Sequence, residues 1–396
     1  MDSHSSSKAQ LVAYDYIIAG AGCAGLSLLY AILQSPNLQS KRILVIDKSF
    51  EKANDRTWCF WEQEPGAYES LVCKTWEYIS IHKDHFSTVL PTAPFTYKML
   101  QGLDFYEHII AFAKTFPNVA WITAEVQSIE DEQGMGQIHW DGGAAKGKFI
   151  FSSILLFASL YAMSQRANTL PFLWQHFKGQ LVKFDQPVFD DKTARLMDFN
   201  VDQKGATGFM YALPLDTHTA LLEYTLFSKN VLSSSEYDFV IKEYISTHFP
   251  GQVYAIVHEE MGAIPMTTQV FEQSKHPIYV IGTLGNAVKA STGYAFQFIQ
   301  KQVTKIVSSL EKDTSIDTNV HVTRHSFYDA VLLYILAHDL MEGSEIFKRI
   351  FEKNKAATIF KFLSNTSDLW EDIQIMRSLP TRIFLPAALK VLLRRS

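Results

Sequence analysis

The segment Tyr16-Ile17-Ile18-Ala19-Gly20-Ala21-Gly22-Cys23-Ala24-Gly25 decides the fold of this 396-residue chain. Its first four residues are apolar and predict a short buried strand, and Cys23–Gln34 continues as a helix with leucines on one face. Arg42–Ile46 is rich in apolar and β-branched residues, which indicates a strand buried on both sides of a parallel sheet. The three elements form a complete βαβ unit.

The three glycines of this unit match a turn that binds the phosphates of a dinucleotide. Gly20 permits the tight turn, Gly22 lets a pyrophosphate approach the backbone, and Gly25 allows the helix to pack closely on the strand. The helix N-terminus offers free N–H groups to the phosphates. Asp47 ends the second strand and is placed to accept hydrogen bonds from ribose hydroxyls. We therefore predict a Rossmann unit for the ADP half of a dinucleotide.

Two further features favour FAD over NAD. Arg56 follows Asp47 closely enough to pair with the pyrophosphate through its forked guanidinium group. Far downstream, the predicted strand Ile278–Ile281 runs into a second turn, which contains Gly282, Gly285 and Asn286 and opens a helix. Two glycine turns that lead into helices suit an extended FAD, with the second turn near the ribityl chain and the flavin ring.

The rest of the chain predicts a discontinuous protein of the α/β class. The polar, aromatic-rich segment Asp47–Ser70 indicates a long functional loop, and three later segments alternate in the manner of an antiparallel sheet. From Val322 onward the chain is mainly helical. The other predicted elements are a helix at Leu103–Phe116, strands at Val119–Thr123 and Phe149–Phe157, the alternating segments Gln180–Phe184, Gly208–Ala212 and Ala220–Thr225, and a helix at Ala295–Glu311.

These elements divide the chain into three regions. We expect residues 14–80, 100–165 and 275–311 to form a discontinuous FAD-binding domain. Residues 81–99 and 166–274 would form an inserted substrate domain around the antiparallel sheet, and residues 312–396 a helical C-terminal region.

Composition and charge exclude several classes of function. The formal net charge is −5 and no basic run exceeds a few residues, which argues against nucleic acid as a partner. The three cysteines lack metal-like spacing, and His321 and His325 have no apparent third ligand, so no metal site is predicted. We see no secretory signal, and the longest apolar stretch, residues 149–163, is too short to span a bilayer.

Four further segments carry a resemblance to a known family. They are Asn54-Asp55-Arg56-Thr57-Trp58-Cys59-Phe60-Trp61, Leu222-Glu223-Tyr224-Thr225, Ile264-Pro265-Met266-Thr267 and residues 282–296, GTLGNAVKASTGYAF. Together they resemble the bacterial lycopene β-cyclases, from about residue 14 to residue 385. The resemblance implies a fold of the flavin-hydroxylase kind. It also implies a redox-neutral conversion of the linear ψ-ends of lycopene into β-rings, giving γ-carotene and then β-carotene, with reduced FAD and with NADPH as the electron source.

Such a reaction needs an acid strong enough to protonate an isolated alkene. A carboxyl group buried among apolar residues has a raised pKa and can wait in its neutral form. The resemblance assigns this role to Glu223, while the family's second acid is replaced by Tyr224. The alternative for Glu223 is an exposed strand residue in a surface ion pair. Glu259 and Glu260 are adjacent on an expected strand and point to opposite faces, which allows one of them to be buried; neither is assigned a role.

Aromatic residues are the candidates for the substrate pocket. The faces of aromatic rings stabilise a carbocation without trapping it. We assign this role to Trp58, Phe60, Trp61 and Tyr294, and packing in a core is the alternative for each of them.

The hydrocarbon substrate that the resemblance implies must arrive from a bilayer. Residues 382–395 combine an apolar body with basic ends, as in an amphipathic helix that lies in the lipid interface. A terminal helix docked on the protein is the alternative. We expect a cytoplasmic protein held peripherally on the inner face of the cell membrane by contact with lipid.

Two other functions stay open. The first is a flavin monooxygenase or reductase that acts on a lipophilic substrate and consumes NADPH. The second is a carrier that binds a flavin or a carotenoid without catalysis.

Overall fold

The computed structural model describes residues 11–154, 171–270, 274–318 and 323–395. The strands are β1 (Val12–Ala19), β2 (Ile43–Asp47), β3 (Thr57–Glu62), β4 (Val72–Trp76), β5 (Tyr78–Lys83), β6 (Phe86–Pro91), β7 (Thr96–Gln101), β8 (Val119–Thr123), β9 (Val126–Glu132), β10 (Met135–Trp140), β11 (Gly143–Ser152), β12 (Leu173–Phe184), β13 (Thr193–Asp198), β14 (Thr207–Pro214), β15 (Thr219–Ser228), β16 (Tyr254–Met266) and β17 (Ile278–Val280). The helices are α1 (Cys23–Gln34), α2 (Gly102–Ala113), α3 (Ser234–His248), α4 (Phe296–Glu311), α5 (Arg324–Ala337), α6 (Gly343–Lys353), α7 (Ala356–Leu363), α8 (Leu369–Arg377) and α9 (Thr381–Arg395).

The first sheet contains the predicted βαβ unit. Its strand order is β8-β2-β1-β11-β10-β9, with β17 beside β11, and β8, β2, β1, β11 and β17 run parallel. The central residues of β1 and β2 are fully buried, because helices cover one face and a second layer of apolar residues covers the other. The predicted helix α1 is confirmed at both ends. Because β17 lies beside β11 and β11 beside β1, the turns that follow β1 and β17 come close together.

The segment Asp47–Ser70 is not entirely a loop, so this prediction is wrong in part. Thr57–Glu62 forms β3, which pairs with β7 in a small antiparallel sheet of order β3-β7-β4. The strand lacks an alternating pattern because both of its faces are packed. Trp58 and Phe60 join the core beneath α1 and α4, whereas Trp61 joins the core beneath the C-terminal helices.

The third sheet contains the three alternating segments. Its order is β16-β12-β15-β14-β13-β5-β6, and neighbouring strands are antiparallel except for β13 and β5. The predicted antiparallel segments fall in β12, β14 and β15 and are confirmed. Helix α3 covers one face of this sheet, and the C-terminal helices pack against the other. The division into domains stays a prediction, and the expected boundary after residue 80 falls inside β5.

Two predictions touch residues outside the described ranges. The strand expected at Phe149–Phe157 ends at Ser152 as β11, and Leu155–Phe157 lie outside the described residues, as does His321. The predicted helical C-terminal region is confirmed from Arg324 onward. Within the part of the chain that the structure describes, no helix has both the length and the apolar character that crossing a membrane requires.

Candidate active site

A cavity of about 350 Å³ lies between the third sheet and the two glycine turns. Alternate residues of β12, β14, β15 and β16 form its floor, because side chains on a strand point alternately to opposite faces. Residues of both glycine turns form part of the opposite wall. The floor residues are Gln175, Phe177, Tyr211, Leu213, Leu221, Glu223, Glu260 and Ile264. The cavity thus joins the glycine turns to the candidate acid.

The first glycine turn is tight and leaves an open space beside α1. Gly20 has a φ of +101°, a conformation that residues with a side chain rarely adopt. A Cβ atom on Gly25 would press into the carbonyl group of Gly20, so the helix packs directly on the turn. Among the described residues, no atom lies within 4 Å of the position that a Cβ atom of Gly22 would take. This space at the N-terminus of α1 is suited to a phosphate group.

Two charged residues lie beside this turn. Asp47 Oδ2 accepts a hydrogen bond of 2.5 Å from the backbone N–H of Ala21, which holds the carboxylate against the turn. Arg56 is exposed at the cavity, and its Nε lies 3.5 Å from Asp55 Oδ2. Asp47 is therefore positioned by the turn itself, whereas the described contact of the Arg56 side chain is an ion pair at the surface.

The second glycine turn leaves one buried side-chain nitrogen without a partner among the described residues. Gly282 has a φ of +69°, and its N–H donates a hydrogen bond of 2.8 Å to Gln302 Oε1. A Cβ atom on Gly285 would collide with the carbonyl group of Val280, so only glycine fits there. Asn286 has a φ of +57°, and its buried Nδ2 finds no hydrogen-bond partner among the described residues.

Other buried polar atoms on the cavity wall also lack hydrogen-bond partners in the part of the chain that the structure describes. Gln175 Oε1 and Thr292 Oγ1 both belong to residues that line the cavity, and neither makes a hydrogen bond to a described residue. Buried polar atoms are nearly always hydrogen-bonded in folded proteins. A polar ring or chain bound between the two turns would satisfy them, so the residues present fit a dinucleotide that extends into the cavity.

Glu223 lies on the floor of the cavity. It is accessible only in part, and Thr225 Oγ1 donates a hydrogen bond of 2.9 Å to its Oε1. Burial raises the pKa of Glu223 to about 8, and the carboxyl group of Glu260 contributes to the same rise. A carboxyl group in this environment keeps its proton at neutral pH. Its neighbour Tyr224 points to the opposite face of the sheet, packs beneath α3 and donates a hydrogen bond to the carbonyl oxygen of Asp202.

Glu260 is a second acid in the cavity that the sequence did not assign. It is 4% exposed, and its Oε2 accepts a hydrogen bond of 2.8 Å from Thr57 Oγ1. Burial raises its pKa, while the hydrogen bond from Thr57 opposes that rise. The adjacent Glu259 faces the other side of the sheet and pairs with Lys178 at 3.1 Å. The expectation that Glu259 and Glu260 point to opposite faces of the strand is confirmed, and the buried residue, Glu260, lies beside Glu223.

The aromatic candidates lie in different places. Trp58 and Tyr294 line the cavity. Phe60 and Trp61 are buried and are absent from its lining, since they lie further along β3 under α4 and α7. The ring of Phe60 stacks on Phe296 at 4.6 Å, and the ring of Trp61 on Phe360 at 4.5 Å. For Phe60 and Trp61 the structure therefore favours the alternative that was left open, which is packing in a core.

Neutral polar groups surround the acid. Cys59, Tyr97, Tyr211 and Tyr294 line the cavity, and burial raises the pKa of each of them, to about 12 for Tyr294. They therefore stay uncharged at neutral pH, and the three tyrosines offer ring faces that carry no phenolate charge. Tyr211 was missed in the sequence, although the alternation along β14 places it on the same face as the other floor residues.

No cluster of three or more histidine, cysteine or acidic side chains suited to a metal ion occurs in the described ranges. His325 is buried, and its Nε2 lies 3.0 Å from Ser367 Oγ, at the start of α5. This hydrogen bond fits a structural role for the histidine.

Comparisons with known proteins agree with this architecture. The solved structure of a geranylgeranyl bacteriochlorophyll reductase-like protein from Thermoplasma acidophilum covers 97% of this chain and 96% of its own, with a TM-score of 0.56 and 13% identity. A flavoprotein/dehydrogenase from Cytophaga hutchinsonii covers 97% and 100%, with a TM-score of 0.57 and 10% identity. The p-nitrophenol 4-monooxygenase from Pseudomonas putida covers 96% of this chain and 98% of its own, with a TM-score of 0.55 and 11% identity. These similarities confirm a fold of the flavin-hydroxylase kind.

Sequence comparison identifies the family. A lycopene beta-cyclase from Pantoea ananas is 25% identical over 323 residues, which are 78% of each chain. The family model described as lycopene cyclase protein matches residues 15–388. Because this match spans nearly the whole chain, the protein belongs to the lycopene cyclase family.

Proposed function

We propose that the protein is a lycopene β-cyclase, an isomerase that converts the ψ-ends of lycopene into β-rings without net redox change. Family membership supports the broader role of a carotenoid cyclase. The observation that carries the specific proposal is that Glu223, held protonated by burial, lies in the same cavity as both glycine turns. A dinucleotide cofactor and a proton donor therefore meet at one site.

The residues of the cavity suit proton-initiated cyclisation. Glu223 donates its proton to the terminal double bond of the ψ-end, which becomes a tertiary carbocation. A neighbouring double bond attacks this cation and closes the ring, and loss of a proton from the ring gives the product. The rings of Trp58 and Tyr294 stabilise the positive charge through their π faces. The surrounding phenols and Cys59 stay neutral, so neither a phenolate nor a thiolate is there to capture the cation.

FAD is the proposed cofactor, and the two turns would hold it. Gly20, Gly22 and Gly25 would hold the pyrophosphate, with Asp47 at the ribose and Arg56 as a cation at the cavity rim. Gly282, Gly285 and Asn286 would lie along the ribityl chain, where the unpartnered Nδ2 of Asn286 is available. A halogenase of the same fold, with a TM-score of 0.54 and 12% identity, was solved in complex with FAD. Reduced flavin would supply a negative charge beside the cavity, and NADPH is the proposed source of its electrons.

We also propose peripheral contact with the cytoplasmic face of the cell membrane. Leu385, Leu389 and Leu392 are exposed on α9, and their spacing places them on one face of the helix. Arg382 and Lys390 are exposed beside them and would attract anionic headgroups. The opposite side of α9 packs against α5. Docking on the protein and contact with lipid are therefore compatible for this helix.

The proposed function is tested by expressing the chain in cells that accumulate lycopene and separating the pigments by chromatography. Monocyclic or bicyclic products from the wild type, with linear lycopene left by Glu223→Gln, would support the cyclase and its acid. Unchanged pigment from both proteins would refute it. Stoichiometric consumption of NADPH by the purified protein with lipophilic substrates would then favour the monooxygenase or reductase. Pigment that binds tightly without conversion would favour the carrier.

A further inference from the structure

Glu223 and Glu260 lie on the same face of the third sheet, one on each side of Gly179. In the register of β12 with its two neighbours, Gly179 is paired with Glu223 on β15 and with Glu260 on β16. The two acids therefore occupy one row across three strands, and the position between them has no side chain.

The glycine lets the two side chains approach each other. A Cβ atom on Gly179 would lie 3.2 Å from Glu260 Cγ and 3.5 Å from Glu223 Cβ, so even a methyl group would crowd the space. Across this gap the carboxyl groups come close enough to interact through a hydrogen bond. Such a contact between two acids requires that one of them carries a proton.

The surroundings of the pair place this proton on Glu223. Each acid accepts a threonine hydrogen bond that favours its ionised form, Glu260 from Thr57 and Glu223 from Thr225. The difference comes from their mutual contact, which raises the pKa of Glu223 and lowers that of Glu260, and from the nearby ring of His258, which lowers the pKa of Glu260 further. In the described chain, Lys178 pairs with Glu259, but no ion pair involves Glu223 or Glu260. The pair is therefore a neutral acid and a carboxylate that both face the cavity.

We propose that Glu260 is the catalytic base of the reaction and shares a single proton with Glu223. This role rests on the proposed cyclase function. Glu223 gives its proton to the alkene and becomes a carboxylate. After ring closure, the Glu260 carboxylate removes a proton from a carbon next to the cation, and the electrons of that C–H bond form the ring double bond. The proton then passes from Glu260 to Glu223 through their contact, so no proton or electron is gained or lost in the cycle.

The position of the base also determines the product. A tertiary ring cation can lose a proton from more than one neighbouring carbon, and each choice puts the double bond in a different place. The Glu260 carboxylate is fixed between Thr57 and Gly179, and this position would favour removal of one of these protons over the others. Glu260 is therefore a specificity-determining residue as well as the base.

The test uses purified protein with FAD, a reductant and lycopene in detergent micelles, over a range of pH. Glu260→Gln preserves the shape of the side chain but cannot accept the proton, and we expect its rate to fall about 10²-fold. Its remaining product should include isomers with the ring double bond at another carbon. Glu260→Asp restores the carboxylate and should recover the normal isomer at a reduced rate. The matched control is Glu259→Gln, which alters the adjacent acid on the opposite face and should leave rate and product unchanged.

The pH profile supplies a second readout. The activity of the wild type should fall as the pH rises and Glu223 loses its proton. This fall should move to lower pH in Glu260→Gln, because the negative neighbour that raises the pKa of Glu223 is gone. Among the described residues, Asp55 and His258 act on the pKa of Glu260, and the titratable or charged residues Arg56, Cys59, Tyr97, Tyr211 and Tyr294 line the same cavity. Burial raises the pKa of Cys59 and of the three tyrosines, so they stay neutral in this range.

Infrared spectroscopy separates this inference from the proposed function. The wild type should show a protonated carboxyl band that disappears in Glu223→Gln and titrates at lower pH in Glu260→Gln, whether or not lycopene is turned over. A Glu260→Gln protein with wild-type rate, product and pH profile would overturn the inference. Loss of activity with an unmoved carboxyl band would also overturn it, because it would mark a purely structural role. If the wild type is inactive but the carboxyl band shifts as expected in Glu260→Gln, the proposed cyclase function would be refuted, and with it the role of Glu260 as base. The sharing of one proton between Glu223 and Glu260 would still hold.

Discussion

The ammonium group of Lys289 lies 2.8 Å from Asp329 Oδ1, and both side chains are buried. The pair connects the chain that follows the second glycine turn to α5. Breaking it leaves an unpaired charge in the interior, and we expect Lys289→Met to lower the free energy of unfolding by about 3–5 kcal/mol. Urea denaturation measures this loss. As a control, Lys192→Met removes an exposed partner of Glu77 and should change stability by less than about 1 kcal/mol. Equal effects of the two substitutions would contradict the structural role of the pair.

Substitution of the two glycines at the start of α1 should affect different properties, FAD binding for Gly22 and stability for Gly25. Gly22→Ala adds a methyl group at a place where no atom of the described chain lies within 4 Å, so stability should change by less than about 1 kcal/mol. The affinity for FAD should fall more than about tenfold, because the methyl group fills the space proposed for phosphate. Gly25→Ala pushes into the carbonyl group of Gly20 and should cost about 1–3 kcal/mol of stability. Flavin fluorescence titration and urea denaturation give the two measurements. Normal FAD binding by Gly22→Ala would contradict the assignment of the phosphate site.

The raised pKa of Glu223 predicts how stability depends on pH. The folded protein holds this proton up to about pH 8, whereas the unfolded chain loses it near the ordinary value of 4.5. The stabilising contribution of the proton is therefore present below pH 4.5 and is lost as the pH rises to about 8. Glutamine does not titrate, so Glu223→Gln should become more stable than the wild type across this window, by more than about 1 kcal/mol. Denaturation at several pH values tests this, with Glu259→Gln as control. A difference independent of pH would contradict the raised pKa.

The leucine face of α9 predicts binding to lipid. Replacing Leu385 and Leu389 by glutamate removes two exposed leucines and adds negative charge, and the partition coefficient onto anionic vesicles should fall more than about tenfold. Co-sedimentation with vesicles measures the bound fraction. Val253→Glu changes an exposed apolar residue before β16 and should leave binding unchanged. Equal binding by all three proteins would exclude α9 as the contact.

The sequence predicted the parts of the molecule that depend on local pattern. The limits of α1 follow from a glycine turn and a helical period within a few residues, and both ends were found as expected. The antiparallel segments were recognised from the alternation in their sequences, although helices cover both faces of the third sheet and β14 is buried along its whole length. β3 was missed because aromatic side chains pack on both of its faces, which removes the alternation that marks a strand.

The candidate site was only partly predictable, for a different reason. Glu223 could be proposed because its segment resembles the lycopene β-cyclases, but the partnership with Glu260 depends on how β15 and β16 align on either side of β12. Register between distant strands is set by the packing of the whole sheet and leaves no local pattern. The same limit applies to Phe60 and Trp61. Their motif was recognisable, but the helices that cover them, α4 and α7, come from far along the chain.

The two-sided packing of β3 has a consequence for the way the protein unfolds. Phe60 belongs to the core of the first sheet and Trp61 to the core shared by the third sheet and the C-terminal helices. The two cores therefore depend on each other through this short strand. If one core unfolds and β3 is displaced, an aromatic side chain that belongs to the other core becomes exposed as well. We expect a single cooperative calorimetric transition for the whole chain, in spite of its three sheets.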